Sequence, residues 1–192
     1  MCYFIFSYNI PILNSHMLKD EGYEPIFVGF LMTYTAFCYA CGLPLEQLMT
    51  SKVTKRGCIF IGLCMQSAGV VISGQSSVLH YGNAGIFAIV GLTIFGFGTT
   101  FVTIPAMPEI LDSIEERKSN FNELSLQNRV AGYFIVCQGL GESAGPLVSS
   151  LLKQELGFRN TQYALGVFVA CFLAIYISAC GVHGFFSLNK KV

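Results

Sequence analysis

Apolar residues in this chain fall into long continuous runs separated by short charged stretches. The runs show neither the strict alternation of a half-buried strand nor the narrow stripe of a soluble amphipathic helix. Six stand out, over residues 2–18, 25–49, 57–74, 84–111, 130–152 and 162–187. A helix crossing a bilayer core about 30 Å thick needs about 20 mostly apolar residues, and these runs reach or approach that length. The pattern predicts an all-α polytopic membrane protein of six transmembrane helices. A membrane β-barrel would instead show alternating segments of about 10 residues.

The connections carry the charge. They run over 19–24, 50–56, 75–83, 112–129 and 153–161, with a tail from 189; the stretch 112–129 is the longest and most hydrophilic. Lys52, Lys55, Arg56, Arg117, Lys118, Arg129, Lys190 and Lys191 fall on one side of the predicted membrane, and only Lys19, Lys153 and Arg159 on the other. Lys and Arg accumulate in cytoplasmic loops, so both termini are expected in the cytoplasm.

Composition agrees with a membrane solvent. Of 192 residues 53% are hydrophobic and 11% charged, against about 25% charged in soluble domains. Lys plus Arg equals Asp plus Glu at 11 each, so nothing suggests a nucleic-acid partner. All eight cysteines lie inside apolar runs. Cys38-x-x-Cys41 has no second pair, as a zinc site would require, and reads as small packing residues. His16, His80 and His183 are far apart in sequence. No metal site, cofactor or catalytic set is expected, and the chain does not read as an enzyme.

Polar residues inside the runs are the candidates for function. Glu142 lies 12 residues past Val130 and 10 before Leu152. An ionised carboxylate at such depth costs about 2.5–3.5 kcal/mol on insertion scales, so it is expected to face a wet cavity, pair, or take a proton. Gln138 lies one turn before it and Ser149 two turns after, on the same helical face. The fourth run closes with Pro105, Pro108, Glu109 and Asp112, an unusual ending for an apolar helix. The substrate-binding candidates are Asn9, Asn14, Tyr34, Thr100, Thr103, Gln138 and Glu142. Glu142 and Glu109 are the proton-coupling candidates. Pro11, Pro105, Pro108, Gly145 and Pro146 are candidate flex points. Glycine is dense in the third to fifth runs, as expected where membrane helices approach closely. Gly139-x-Gly141-x-x-x-Gly145 superficially matches a dinucleotide loop, but no strand precedes it.

Several stretches together resemble the C-terminal half of a major facilitator superfamily carrier, and within it the vesicular amine transporter family, solute carrier family 18, with its polyamine-associated branch. Phe6-Ser7-Tyr8-Asn9-Ile10-Pro11 is similar to that family's seventh helix. Gly22-Tyr23 with Val28-Gly29-Phe30-Leu31 resembles its entry into the eighth. The sequence Ile104-Pro105-Ala106-Met107-Pro108-Glu109-Ile110-Leu111 resembles the end of the tenth. Gly141-x-x-x-Gly145-Pro146-Leu147, then Gly157-Phe158, resembles the eleventh and its exit.

The resemblance implies a proton-coupled antiporter for small organic cations in an acidic vesicle or other endomembrane. Its partners would be the substrate, protons, the lipid bilayer, and a missing N-terminal half or a second copy. The chain also departs from the family. The usual Gly-x-x-x-Asp-Lys/Arg after the eighth helix reads Gln47-Leu48-Met49-Thr50-Ser51-Lys52. Thr100 stands where the monoamine carriers have an acid, and Asn14 where the polyamine-associated branch has one. Glu142 occupies a position that is usually small and neutral. The alternative reading is a non-transporting membrane subunit or degenerate half-carrier.

Overall fold

The computed structural model describes residues 1–20, 22–74, 84–115 and 123–180, all essentially helical. Helix α1 spans Cys2–Lys19, α2 Pro25–Thr50, α3 Lys55–Gly74 and α4 Ala84–Glu115. A helical run Glu123–Cys180 follows, broken only at Gly157. We label its two parts α5 (123–156) and α6 (158–180). Gly157 has φ 76° and ψ 168°, a conformation essentially restricted to glycine. Here the chain reverses: α5 runs parallel to α1, from Gly141 beside Phe4 to Lys153 beside Ser15, and α6 returns antiparallel, from Phe158 beside His16 to Phe168 beside Phe4.

The connection expected over 153–161 is therefore a single non-helical residue. Lys, Gln and Glu are good helix formers, so polarity here marks the end of the apolar span rather than of the helix. The same holds around 112–129, where α4 continues to Glu115 and α5 begins at Glu123. Residues 181–187 of the sixth run and the connection 75–83 lie outside the described residues.

Lipid offers no hydrophobic drive for helices to associate, so close packing must hold them. The α3–α4 pair shows how. A Cβ on Gly62 would sit 2.8 Å from the Gly98 carbonyl oxygen, and one on Gly69 2.7 Å from that of Gly91. Added at Gly91 or Gly98, a Cβ would meet the carbonyl of Gly69 or Gly62 at 2.9 Å. Two glycine pairs, seven residues apart on each helix, thus bring antiparallel backbones into contact. On another face of α4, Gly96 lies against Cys38 and Thr35 of α2.

The main core gathers around the shortest helix. Ile5, Tyr8, Ile12, Leu13 and Met17 of α1 pack with Leu31 of α2, Val70 of α3, Leu92 and Phe95 of α4, and Leu165 and Val169 of α6. Among the described residues, no fully buried member comes from α5, which covers the bundle's edge. Among the described residues, four stretches are, taken singly, long and apolar enough to cross a membrane: Pro25–Thr50, Lys55–Gly74, Gly85–Ile114 and Asn160–Ser178. The remaining helices, α1 and α5, carry more polar residues. In α1 these include Asn9 and His16, hidden inside the bundle.

Candidate functional site

At the end of the bundle where α1 begins and α4 finishes, five helices enclose a cavity of about 370 Å³. That size falls within the usual range for small-molecule pockets, about 300–1,000 Å³. Its walls are mainly apolar and aromatic, including Ile59, Leu63, Val102, Phe134 and Phe172. Tyr3 of α1 meets Phe134 of α5 edge-on, with ring centroids 6.4 Å apart. Polar groups are few: Cys2, Thr103, Glu109 and Gln138 also line the cavity.

Two polar systems support it. Behind the wall, the fully buried Gln66 donates from Nε2 to Cys2 Sγ and to Thr99 Oγ1, both at 3.0 Å. Cys2 Sγ lies 3.5 Å from Thr103 Oγ1. At the cavity's edge, Gln138 Nε2 donates to Glu142 Oε1 at 3.0 Å along the exposed face of α5. Charged groups tie the base of α3 to the end of α4, where Arg56 pairs with Glu109 and Lys55 Nζ lies 2.5 Å from Asp112 Oδ2. Ser113 Oγ is 3.5 Å from the same Glu109 oxygen.

A sequence model of the Major Facilitator Superfamily matches residues 1–181. The chain belongs to this superfamily. It is similar to the MFS-type transporter SLC18B1 of Rattus norvegicus, 22% identical over 156 residues, which cover 80% of this chain and 34% of that protein. The Mus musculus protein of the same name is 21% identical over the same extent. The chain thus spans about a third of the length of these curated relatives. With membership of the superfamily, the apolar helices make this an integral, multi-pass membrane protein.

In this superfamily chain the candidates read from sequence separate into groups. Thr103, Glu109 and Gln138 share the cavity, with Glu142 hydrogen-bonded to Gln138. The remaining polar candidates are engaged elsewhere or lie outside the cavity lining. Asn9 is buried and accepts from Gln162 Nε2 at 2.9 Å. Tyr34 bonds Thr93 at 3.1 Å, and Thr100 donates to the Tyr39 and Gly96 carbonyls. Asn14 has a buried Oδ1 without a hydrogen-bond partner.

Among the flex-point candidates, Pro11 and Pro146 line a second cavity of about 430 Å³ with Ser15, Asp20 and Lys153. Pro105 and Pro108 border a cleft near Glu46. Gly145 packs on α1, where its Cβ would meet Ser7 Cβ at 2.8 Å. Ser149 does not share the exposure of Glu142 as helical spacing suggests. It is 1% exposed, because α5 closes onto α1 at Gly145.

Sequence reasoning missed Gln66 and Glu46. Each had a signal. Gln66 is the one amide side chain in the run 57–74, and Glu46 the one charged residue in 25–49.

Proposed function

We propose that this chain is a six-helix half of a carrier that moves a small organic cation across a membrane in exchange for protons. The observation that carries the reading is the Gln138–Glu142 pair at the edge of a mainly apolar cavity, in a chain of a carrier superfamily. A carboxylate can hold either a proton or the substrate's cationic group, and competition for one site is the simplest form of antiport. Glu142 takes that role, and Gln138 orients it. Thr103 offers a hydroxyl to the substrate in the cavity. The Arg56–Glu109 and Lys55–Asp112 pairs act as a latch between α3 and α4, with Pro105 and Pro108 as the flex points beside it. Alternating access in such folds rocks two repeats about a midplane site, so a second six-helix unit completes the carrier. The Lys and Arg count supports a cytoplasmic latch and cytoplasmic termini, and the family resemblance supports an endomembrane as the host.

Uptake of a radiolabelled organic amine into proteoliposomes, with and without an imposed pH gradient, tests this reading. Gradient-driven uptake is expected, with loss of the gradient dependence in Glu142→Gln. Uptake insensitive to the gradient would refute proton coupling, and normal coupling in Glu142→Gln would remove Glu142 from the scheme.

A second reading, a non-transporting membrane subunit, is favoured by one observation. The stretch Gln47-Leu48-Met49-Thr50-Ser51-Lys52, at the end of α2, lacks the aspartate that the family pattern has there. It requires co-purification with a full-length membrane protein and no uptake by the chain in any pairing.

A further inference from the structure

The cleft between the ends of α2 and α4 contains a carboxylate for which the transport scheme has no use. Glu46 is 4% exposed. Its Oε1 accepts from Thr50 Oγ1 at 2.6 Å. Among the described residues no Lys, Arg or His pairs with it. It lines an open cleft of about 460 Å³ together with Gln47, Thr50, Lys55, Pro105 and Pro108. This lining shares no residue with that of the cavity beside Gln138.

A carboxylate withdrawn from water is costly unless a cation or enough donors compensate it. One hydroxyl is a single donor to a group with about four acceptor positions. The cation that borders the cleft, Lys55, is engaged elsewhere, with Nζ 2.5 Å from Asp112 Oδ2. The remaining acceptor positions of Glu46 are left for something that enters the cleft.

The geometry points to a second binding site, in which Glu46 receives the ammonium group of a small organic cation and Lys55 is the built-in competitor. While Asp112 holds Lys55, the cleft accepts an external cation. When Lys55 is released it turns to Glu46, neutralises it and closes the site. Asp112 thereby controls binding from outside the cleft, a signature that a plain surface carboxylate would not produce.

The test is titration of the full chain in lipid nanodiscs with n-butylammonium, read by calorimetry. All chains carry Glu142→Gln, which removes the proposed transport carboxylate from the signal and separates this result from the proton-coupling reading. Saturable binding is expected. Glu46→Gln should weaken it by about tenfold or more, and Asp112→Asn should weaken it comparably. Adding Lys55→Gln to Asp112→Asn should restore it. Absence of saturable binding, unchanged affinity in Glu46→Gln, or unchanged affinity in Asp112→Asn would each overturn the proposal. If Glu46→Gln does not fold, the Asp112→Asn chain with and without Lys55→Gln decides the matter with Glu46 intact.

Discussion

The α3–α4 seam and the outer face of α5 use glycine in opposite ways. Gly62, Gly69, Gly91 and Gly98 each face a backbone atom closer than 3 Å to where a Cβ would sit. On α5, a Cβ at Gly132 or Gly139 would meet nothing within 4 Å. Glycine in a helix interior costs roughly 0.5–1 kcal/mol relative to alanine. Between α3 and α4 that cost is offset by backbone contact. On α5 no described neighbour offsets it, and the same face exposes Tyr133, Val136 and Leu140. The first region is finished within this chain. The second is left open on its outer side by the described residues.

The strongest way to break this contrast is to add side chains. Gly69→Val would place its Cβ 2.7 Å from the Gly91 carbonyl oxygen and 2.8 Å from the Phe95 nitrogen. Neither is the movable end of a side chain, so α3 and α4 must separate. Overpacking of this kind costs typically 1–3 kcal/mol and occasionally more, and this case belongs at the upper end. Thermal unfolding in detergent should show a large drop or no folded protein. Gly139→Val should leave the isolated chain's unfolding temperature almost unchanged. Equal effects at the two positions would remove the distinction between seam and open face.

Gly145→Val probes the boundary between the regions. Its Cβ would meet Ser7 Cβ at 2.8 Å and the Tyr8 nitrogen at 2.9 Å, so a clash with α1 is certain. Yet α5 contributes no fully buried residue to the main core, and it has room to shift outward. The expected loss is about 1–2 kcal/mol, in the lower part of the overpacking range, and smaller than for Gly69→Val. A chain-length α5 peptide bearing the substitution should also associate less with the remaining helices. A loss as large as that of Gly69→Val would show α5 to be as tightly held as α4.

How much of this could be read from sequence follows the same division. The apolar runs are a local property, so the membrane class and the helix order were legible. So was the Gln138–Glu142 pair, whose spacing of four residues sets both on one helical face. The support behind the cavity was not. Gln66 reaches Cys2 and Thr99, and Cys2 reaches Thr103 across 101 positions of sequence. Such contacts depend on the register in which helices pack, and nothing local encodes that Gly62 should meet Gly98. Tyr34 and Thr100 looked available because spacing cannot show that Thr93 and the Tyr39 carbonyl already occupy them. Glu46 was absorbed into its apolar run for a related reason, since burial of a charge is a tertiary fact.

The smallest effect lies at the opposite end of the bundle, where the α1–α5–α6 contact closes with charge rather than glycine. His16 is buried, stacks on Phe158 with ring centroids 3.7 Å apart, and its Nδ1 lies 2.7 Å from Asp20 Oδ2. An ionised carboxylate can only accept, so Nδ1 is the donor. This hydrogen bond holds the Asp20 carboxyl below its ordinary value of 3.8, against a smaller opposing effect of burial and with help from Lys153 and Lys19. A carboxyl with a depressed folded pKa contributes stability that is fully present above the unfolded value. That contribution is lost as pH falls through the folded one. Asp20 is half exposed, so solvent screening keeps the contribution below about 1 kcal/mol. Asp20→Asn should therefore unfold at a slightly lower temperature than the parent chain at neutral pH. The difference should shrink as pH falls past the unfolded value of 3.8 and through the lower folded one. A difference that persists undiminished into stronger acid would assign the effect of Asp20→Asn to packing instead of charge. The charged closure would then belong with the glycine seams, as one more contact decided by shape.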